Sequence, residues 1–203
     1  MYFINKFWCP GPESKVVVNQ RLESHSRDSR VATSEQPKTR ILGIDPGLSG
    51  GWAVVDETGK LIRCGNFPTH TVKKNGKNST QLDGRTLAML LGSTNSTAAF
   101  VEAVSSRPRQ AGQFQFGINT GMLHGILHAF NVPFTLVAPA SWKSSYGIKR
   151  GEEETKRDKK NEAREIAAKL YPDSAKKFAR VMDDGVAEAT LIALYGLYLN
   201  SMT

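Results

Sequence analysis

The stretch Ile41-Leu42-Gly43-Ile44-Asp45-Pro46-Gly47 decides how this chain is read. A short apolar run reads as a buried strand, and Asp45-Pro46-Gly47 closes it as a turn signal. Working outward, Gly51-Trp52-Ala53-Val54-Val55 is a second strand, and Asp56-Glu57-Thr58-Gly59 turns the chain into a third, Leu61 to Phe67. The three form a hairpin meander. A basic polar loop follows at Lys73-Lys74-Asn75-Gly76-Lys77-Asn78, then a helix over about Asp83 to Leu91 with Leu87, Leu90 and Leu91 on one face. Ala98-Ala99-Phe100-Val101 is a fourth strand ending in Glu102, and a helix over about Phe116 to Phe130 leads to a fifth, Phe134-Thr135-Leu136-Val137. A charged helical stretch (about 152–170) and a C-terminal helix (about 184–200) complete the order β-β-β-α-β-α-β-α. The expected fold is therefore α/β: a mixed five-stranded sheet, three strands antiparallel and two parallel, flanked by helices.

The rest of the composition fits one such domain. The chain has 203 residues, 39% of them hydrophobic and 23% charged, which excludes collagen-like and wholly disordered classes. No apolar run reaches the roughly 18 residues of a membrane span, so no membrane role is expected. Residues 1–38 lack apolar periodicity and are expected to form a disordered N-terminal extension, with 39–203 the globular domain. Arginine and serine in that extension raise a transit peptide as one reading, which Glu13, Glu23, Asp28 and Glu35 oppose. Two cysteines, Cys9 and Cys64, give no disulfide framework and point to a reducing intracellular compartment. A net charge of +8 favours a polyanionic partner, nucleic acid first.

Chemistry enters through the carboxylates. Asp45 and Glu102 each end a strand, and ligand sites of open α/β sheets gather at the carboxyl ends of strands. Asp183, Asp184 and Glu188 open the last helix, where Asp184 and Glu188, four apart, share a face. Four converging carboxylates repel unless a cation joins them, and hard oxygen ligands suit Mg²⁺ or Mn²⁺. Taken singly, Asp183 or Asp184 reads as a helix cap, Glu188 as a solvated side chain and Asp-Pro-Gly as a turn.

In this order the motifs resemble the RuvC-like Holliday junction resolvases, which have the ribonuclease H-like fold. Ile41 to Gly50 resembles their opening strand, Phe100-Val101-Glu102 their second acidic motif, and Asp183-Asp184-Gly185-Val186-Ala187-Glu188 their C-terminal acidic helix. Trp142-Lys143 and Leu170-Tyr171-Pro172 resemble signatures of the branch that includes phage, bacterial and plant-organelle enzymes. The resemblance spans about 40–197. It implies metal-dependent cleavage of four-way junction DNA in recombination and repair, a homodimer, and two Mg²⁺ ions for which Mn²⁺ substitutes. It also implies Asp45, Glu102, Glu188 and Asp184 as metal ligands, with Asp183 the alternate, and Lys143 as a catalytic ammonium near the scissile phosphate.

DNA contacts are expected from Arg107, Arg109 and Phe114 in the loop after Glu102, and from Lys73, Lys74 and Lys77. A solvated loop with Phe114 in the core is the bland alternative. Gly117, Gly121 and Gly125 recur every fourth residue, which suggests close packing onto the sheet or onto a second subunit. His124 and His128 have zinc-helix spacing but no catalytic Glu between them and no obvious third ligand. No glycine-framed serine nucleophile and no Walker-type phosphate loop occurs. The charged run Glu152 to Lys160 reads as solvated. Three rivals remain: a nuclease of the same fold acting on structured RNA, an actin-like ATPase, for which the chain is too short, and a non-catalytic junction-binding protein.

Overall fold

The computed structural model describes residues 38–74, 76–103, 112–148 and 156–202. Nearly all of the expected extension 1–38 lies outside them, as do Arg107 and Arg109. In chain order the strands are β1 (Arg40–Asp45), β2 (Gly51–Asp56), β3 (Leu61–Asn66), β4 (Thr69–Lys74), β5 (Lys77–Leu82), β6 (Ala98–Glu102) and β7 (Phe134–Val137). The helices are α1 (Gly84–Gly92), α2 (Gln113–Ala129), α3 (Pro139–Ser145), α4 (Lys156–Leu170) and α5 (Asp184–Asn200), with two short 3-10 helices before α5.

Five strands form one sheet in the order β3-β2-β1-β6-β7. The meander β1-β2-β3 is antiparallel, and β6 and β7 add in parallel beside β1. This is the mixed sheet expected from the sequence. The basic stretch 73–78 differs from its reading as a loop: β4 and β5 pair as a separate two-stranded hairpin, with Lys73, Lys74 and Lys77 beside its tip.

Side chains alternate across the sheet because successive strand residues face opposite ways. Leu42 and Ile44 of β1 and Ala99 and Val101 of β6 pack with Leu87 and Leu91 of α1 and Leu123, Ile126 and Leu127 of α2. Ile41 and Phe100 face the other way, into a core with Trp142 of α3, Ala163 and Ala167 of α4, and Val186, Leu191 and Ile192 of α5. By the same alternation Asp45 and Glu102 point to the α5 side.

Helix α5 is buried almost all round through its first ten residues, as a helix held between a sheet and another helix must be. It lies flush on β1 because glycines leave no side chain in the way. A Cβ on Gly43 would sit 2.1 Å from the Ala189 carbonyl oxygen and 2.4 Å from the Ala193 nitrogen. At the helix start, Gly185 makes a parallel bridge to Gly50. Before it, Ala163 and Ala167 of α4 are buried and α4 packs on α5, while Glu152 to Glu154 of the charged stretch read as solvated lie outside the described residues. Tyr171 ends this stretch by donating its hydroxyl to the Gly59 carbonyl at 2.7 Å. Gly59, at φ +80°, supplies the left-handed turn between β2 and β3.

Candidate active site

In the parallel pair, Ile44 lies opposite Val101, so the next residues, Asp45 and Glu102, emerge side by side at the carboxyl end of the sheet. The close seating of α5 carries Glu188 to the same place. One oxygen from each of Asp45, Glu102 and Glu188 lies within 4.8 Å of the others, a hard-oxygen donor set that fits a divalent cation such as Mg²⁺ or Mn²⁺. From the end of β7, α3 brings two more groups. Trp142, fully buried, donates its indole N–H to Glu102 Oε1 at 3.1 Å. Lys143 Nζ donates to Glu188 Oε1 at 3.1 Å and stands 3.9 Å from Glu102 Oε1. Trp142 therefore orients Glu102 as well as packing, a role its sequence context did not suggest.

The remaining two acids are engaged elsewhere. Asp184 Oδ1 forms an ion pair at 2.9 Å with Arg164 Nε of α4, and Arg164 also donates to the Ala179 carbonyl. Asp183 is held by the Arg180 guanidinium and backbone N–H, and those hydrogen bonds keep its carboxyl below the usual range. The structure thus gathers three of the expected carboxylates and places both Asp184 and Asp183 against arginines, outside that group. Arg164 lay in a stretch read only for its charge, and nothing in the sequence tied it to the acidic helix.

Electrostatics at Glu102 run in opposing directions. Burial pushes its carboxyl above the ordinary value and the Glu188 charge adds to this, while the Lys143 ammonium and the Trp142 N–H pull it down; the net shift is upward. A carboxyl whose folded pKa exceeds its unfolded one weakens the fold once pH rises past the unfolded value, and the penalty is complete above the folded value. Glu102→Gln, which keeps an acceptor for Trp142, is therefore expected to melt above wild type in EDTA near pH 7, with the gap closing as pH falls below the unfolded value. Asp184→Asn is expected to melt lower, because Arg164 loses its counter-charge in a site where both side chains are at most 14% exposed; breaking such a pair costs on the order of 3 kcal/mol. Mg²⁺ should raise the wild-type melting temperature and do so less for Glu102→Gln. Thermal melts in EDTA and in Mg²⁺ over a pH series read all three.

Among the expected DNA contacts, Phe114 is 84% exposed at the start of α2, so it is not a core residue. Lys73 and Lys77 are exposed on the β4–β5 hairpin. Added Cβ atoms at Gly117, Gly121 and Gly125 would meet nothing within 4 Å, so these glycines do not pack on the sheet. His124 and His128 both lie against the Phe134 ring, at 4.8 and 5.2 Å between centroids, and neither belongs to a metal-ligand group among the described residues.

The described strands, helices and acidic corner can be set beside solved structures. Thermus thermophilus RuvC in complex with Holliday junction substrate superposes with a TM-score of 0.50 over 80% of this chain and 96% of its own, at 13% identity. The chain has the RuvC fold. Fowlpox virus resolvase, solved with substrate Holliday junction DNA, aligns at TM-score 0.48 and 16% identity over 78% of this chain and 99% of its own. The yeast mitochondrial Holliday junction resolvase Ydc2 aligns at 0.43 and 15% over 81% and 80%. No family model and no curated protein sequence matches the chain. The likeness to RuvC thus lies in the backbone. No helix among the described residues is long and apolar enough to cross a membrane.

Proposed function

We propose that residues 39–203 form a structure-specific endonuclease that resolves four-way DNA junctions by metal-dependent phosphodiester hydrolysis. The observation that carries this reading is the convergence of Asp45, Glu102 and Glu188 at the carboxyl end of the sheet in a chain with the fold of RuvC, a protein solved with a Holliday junction substrate. In this reading the three carboxylates hold Mg²⁺, as two ions or with Mn²⁺ in its place, and Asp184, whose Oδ1 is paired with Arg164, is the fourth ligand. The metal supplies activation of a water nucleophile and stabilisation of the leaving 3′-oxygen. Trp142 keeps Glu102 aimed at the site, and among the described residues Lys143 offers the one ammonium within reach of both Glu102 and Glu188.

Arg107, Arg109, Phe114, Lys73, Lys74 and Lys77 are assigned to the DNA: the cations to phosphates, the exposed ring to stacking on an unpaired base. A junction needs two matched cuts, so the acting unit is a homodimer, and the open glycine face of α2 next to exposed Phe114 and Ile118 is the surface we assign to it. A labelled four-way junction incubated with Mg²⁺ should yield symmetric nicks that ligase can seal. Binding should weaken steeply with salt, and Arg107→Ala and Arg109→Ala should each reduce the salt slope by about one. Efficient cleavage of folded RNA with the junction left intact would overturn the substrate assignment.

A further inference from the structure

Three carboxylates within 4.8 Å of one another resist joint ionisation unless positive charge lies among them. Here Lys143 brings that charge. Its ammonium donates to Glu188 Oε1 at 3.1 Å, lies 3.9 Å from Glu102 Oε1 and sits 4.8 Å from the centre of the Trp142 ring, so two acids and an aromatic face hold it from three directions. The lysine side chain is 31% exposed, against 13% for Glu102 and 11% for Glu188, so its stem leads from solvent into the acidic corner.

We propose that Lys143 is a resident counter-cation of this corner, occupying the place between Glu102 and Glu188 until a divalent cation takes their oxygens and expels the ammonium. This rests on the reading of the three carboxylates as metal ligands. An oxygen that binds a hard cation directly cannot keep an ammonium at hydrogen-bonding distance without bringing two like charges together, and the low-dielectric setting makes that repulsion severe. Lysine suits the exchange: it is a compact point charge on a flexible four-carbon stem, and it can swing out without breaking a planar, two-pronged contact as arginine would. The expelled ammonium becomes available to a substrate phosphate only when metal is present. Lys143 therefore lowers metal affinity in the free protein and protects the fold against its own carboxylates.

Two measurements on the full chain test this. In the first, the side-chain ammonium of Lys143, labelled with nitrogen-15 and kept visible by its ion pair, is followed by NMR during Mg²⁺ titration; the signal should move or vanish in step with metal binding. In the second, Mn²⁺ affinity without DNA is read by electron paramagnetic resonance. Lys143→Gln should bind Mn²⁺ about tenfold more tightly than wild type, while Lys60→Gln, on the β2–β3 turn at the opposite end of the sheet, should stay within about twofold. If metal binds while the Lys143 signal is untouched, or if Lys143→Gln binds no more tightly than wild type, Lys143 is not displaced and the inference falls while the carboxylate site stands. If Mn²⁺ binds neither protein, the metal reading falls with it. The NMR arm uses the wild-type chain and does not depend on the variant folding.

Discussion

Asp45→Asn is expected to reduce junction cleavage by at least about 10²–10³-fold, the scale on which losing one preorganised charge-stabilising group slows an enzyme. Junction affinity in EDTA should change little, because the groups assigned to phosphate are on other elements. Asp45 ends β1 next to Glu102 and contributes one of the three clustered oxygens, and no other acid among the described residues belongs to that cluster. Asparagine keeps the shape and removes the anionic ligand, so the loss should fall on the chemical step. Gel-shift binding and single-turnover cleavage separate the two quantities. Near-normal nicking by Asp45→Asn would mean that the acidic corner is not where the phosphodiester is cut.

The largest effect on the fold is expected from Gly43→Ala. The new methyl would meet the Ala189 carbonyl oxygen at 2.1 Å and the Ala193 nitrogen at 2.4 Å, and both obstacles are backbone, which no rotamer change can clear. Overpacking typically costs about 1–3 kcal/mol, and a backbone clash in the middle of a buried helix–strand contact belongs at or above the top of that range. The helix must back away from β1, which carries Glu188 away from Asp45 and Glu102. Stability and Mg²⁺ response should therefore fall together. Gly121→Ala, compared at a concentration where the chain is monomeric, is the control: within one chain its methyl enters open space and raises helix propensity by up to about 1 kcal/mol. Denaturant midpoints of the two variants should lie on opposite sides of wild type.

The sequence carried the five-stranded sheet because most of its strands are short apolar runs and the first two are closed by turn signals, and the parallel pairing of β6 with β7 follows from the helix α2 between them. The β4–β5 hairpin was illegible for the opposite reason. Lys73-Lys74-Asn75-Gly76-Lys77-Asn78 holds a hairpin dipeptide, but no alternating hydrophobics flank it, since among the described residues this ribbon pairs only with itself and is largely exposed. Within the site, strand ends located Asp45 and Glu102, and helical spacing located Glu188. That spacing also put Asp184 on the same face and could not show that Arg164 reaches it from α4, because a cross-helix ion pair leaves no local pattern. Trp142 was legible only as part of the Trp142-Lys143 signature; its bond to Glu102 depends on where β7 ends relative to β6, which only the assembled sheet reveals.

The seating of α5 on β1 also sets an order in time. Asp45 comes from the first strand of the described domain, Glu102 from the sixth and Glu188 from the last helix, so the acidic corner joins pieces from nearly the whole length of the domain. A ribosome adding about 5–20 residues per second makes the first carboxylate seconds to tens of seconds before the third. Until α5 has been synthesised and has slid over Gly43, the nascent chain presents a sheet end with two acids and no complete cage. In the nuclease proposed above, the complete set of three carboxylates therefore exists only once the last helix has been made and seated.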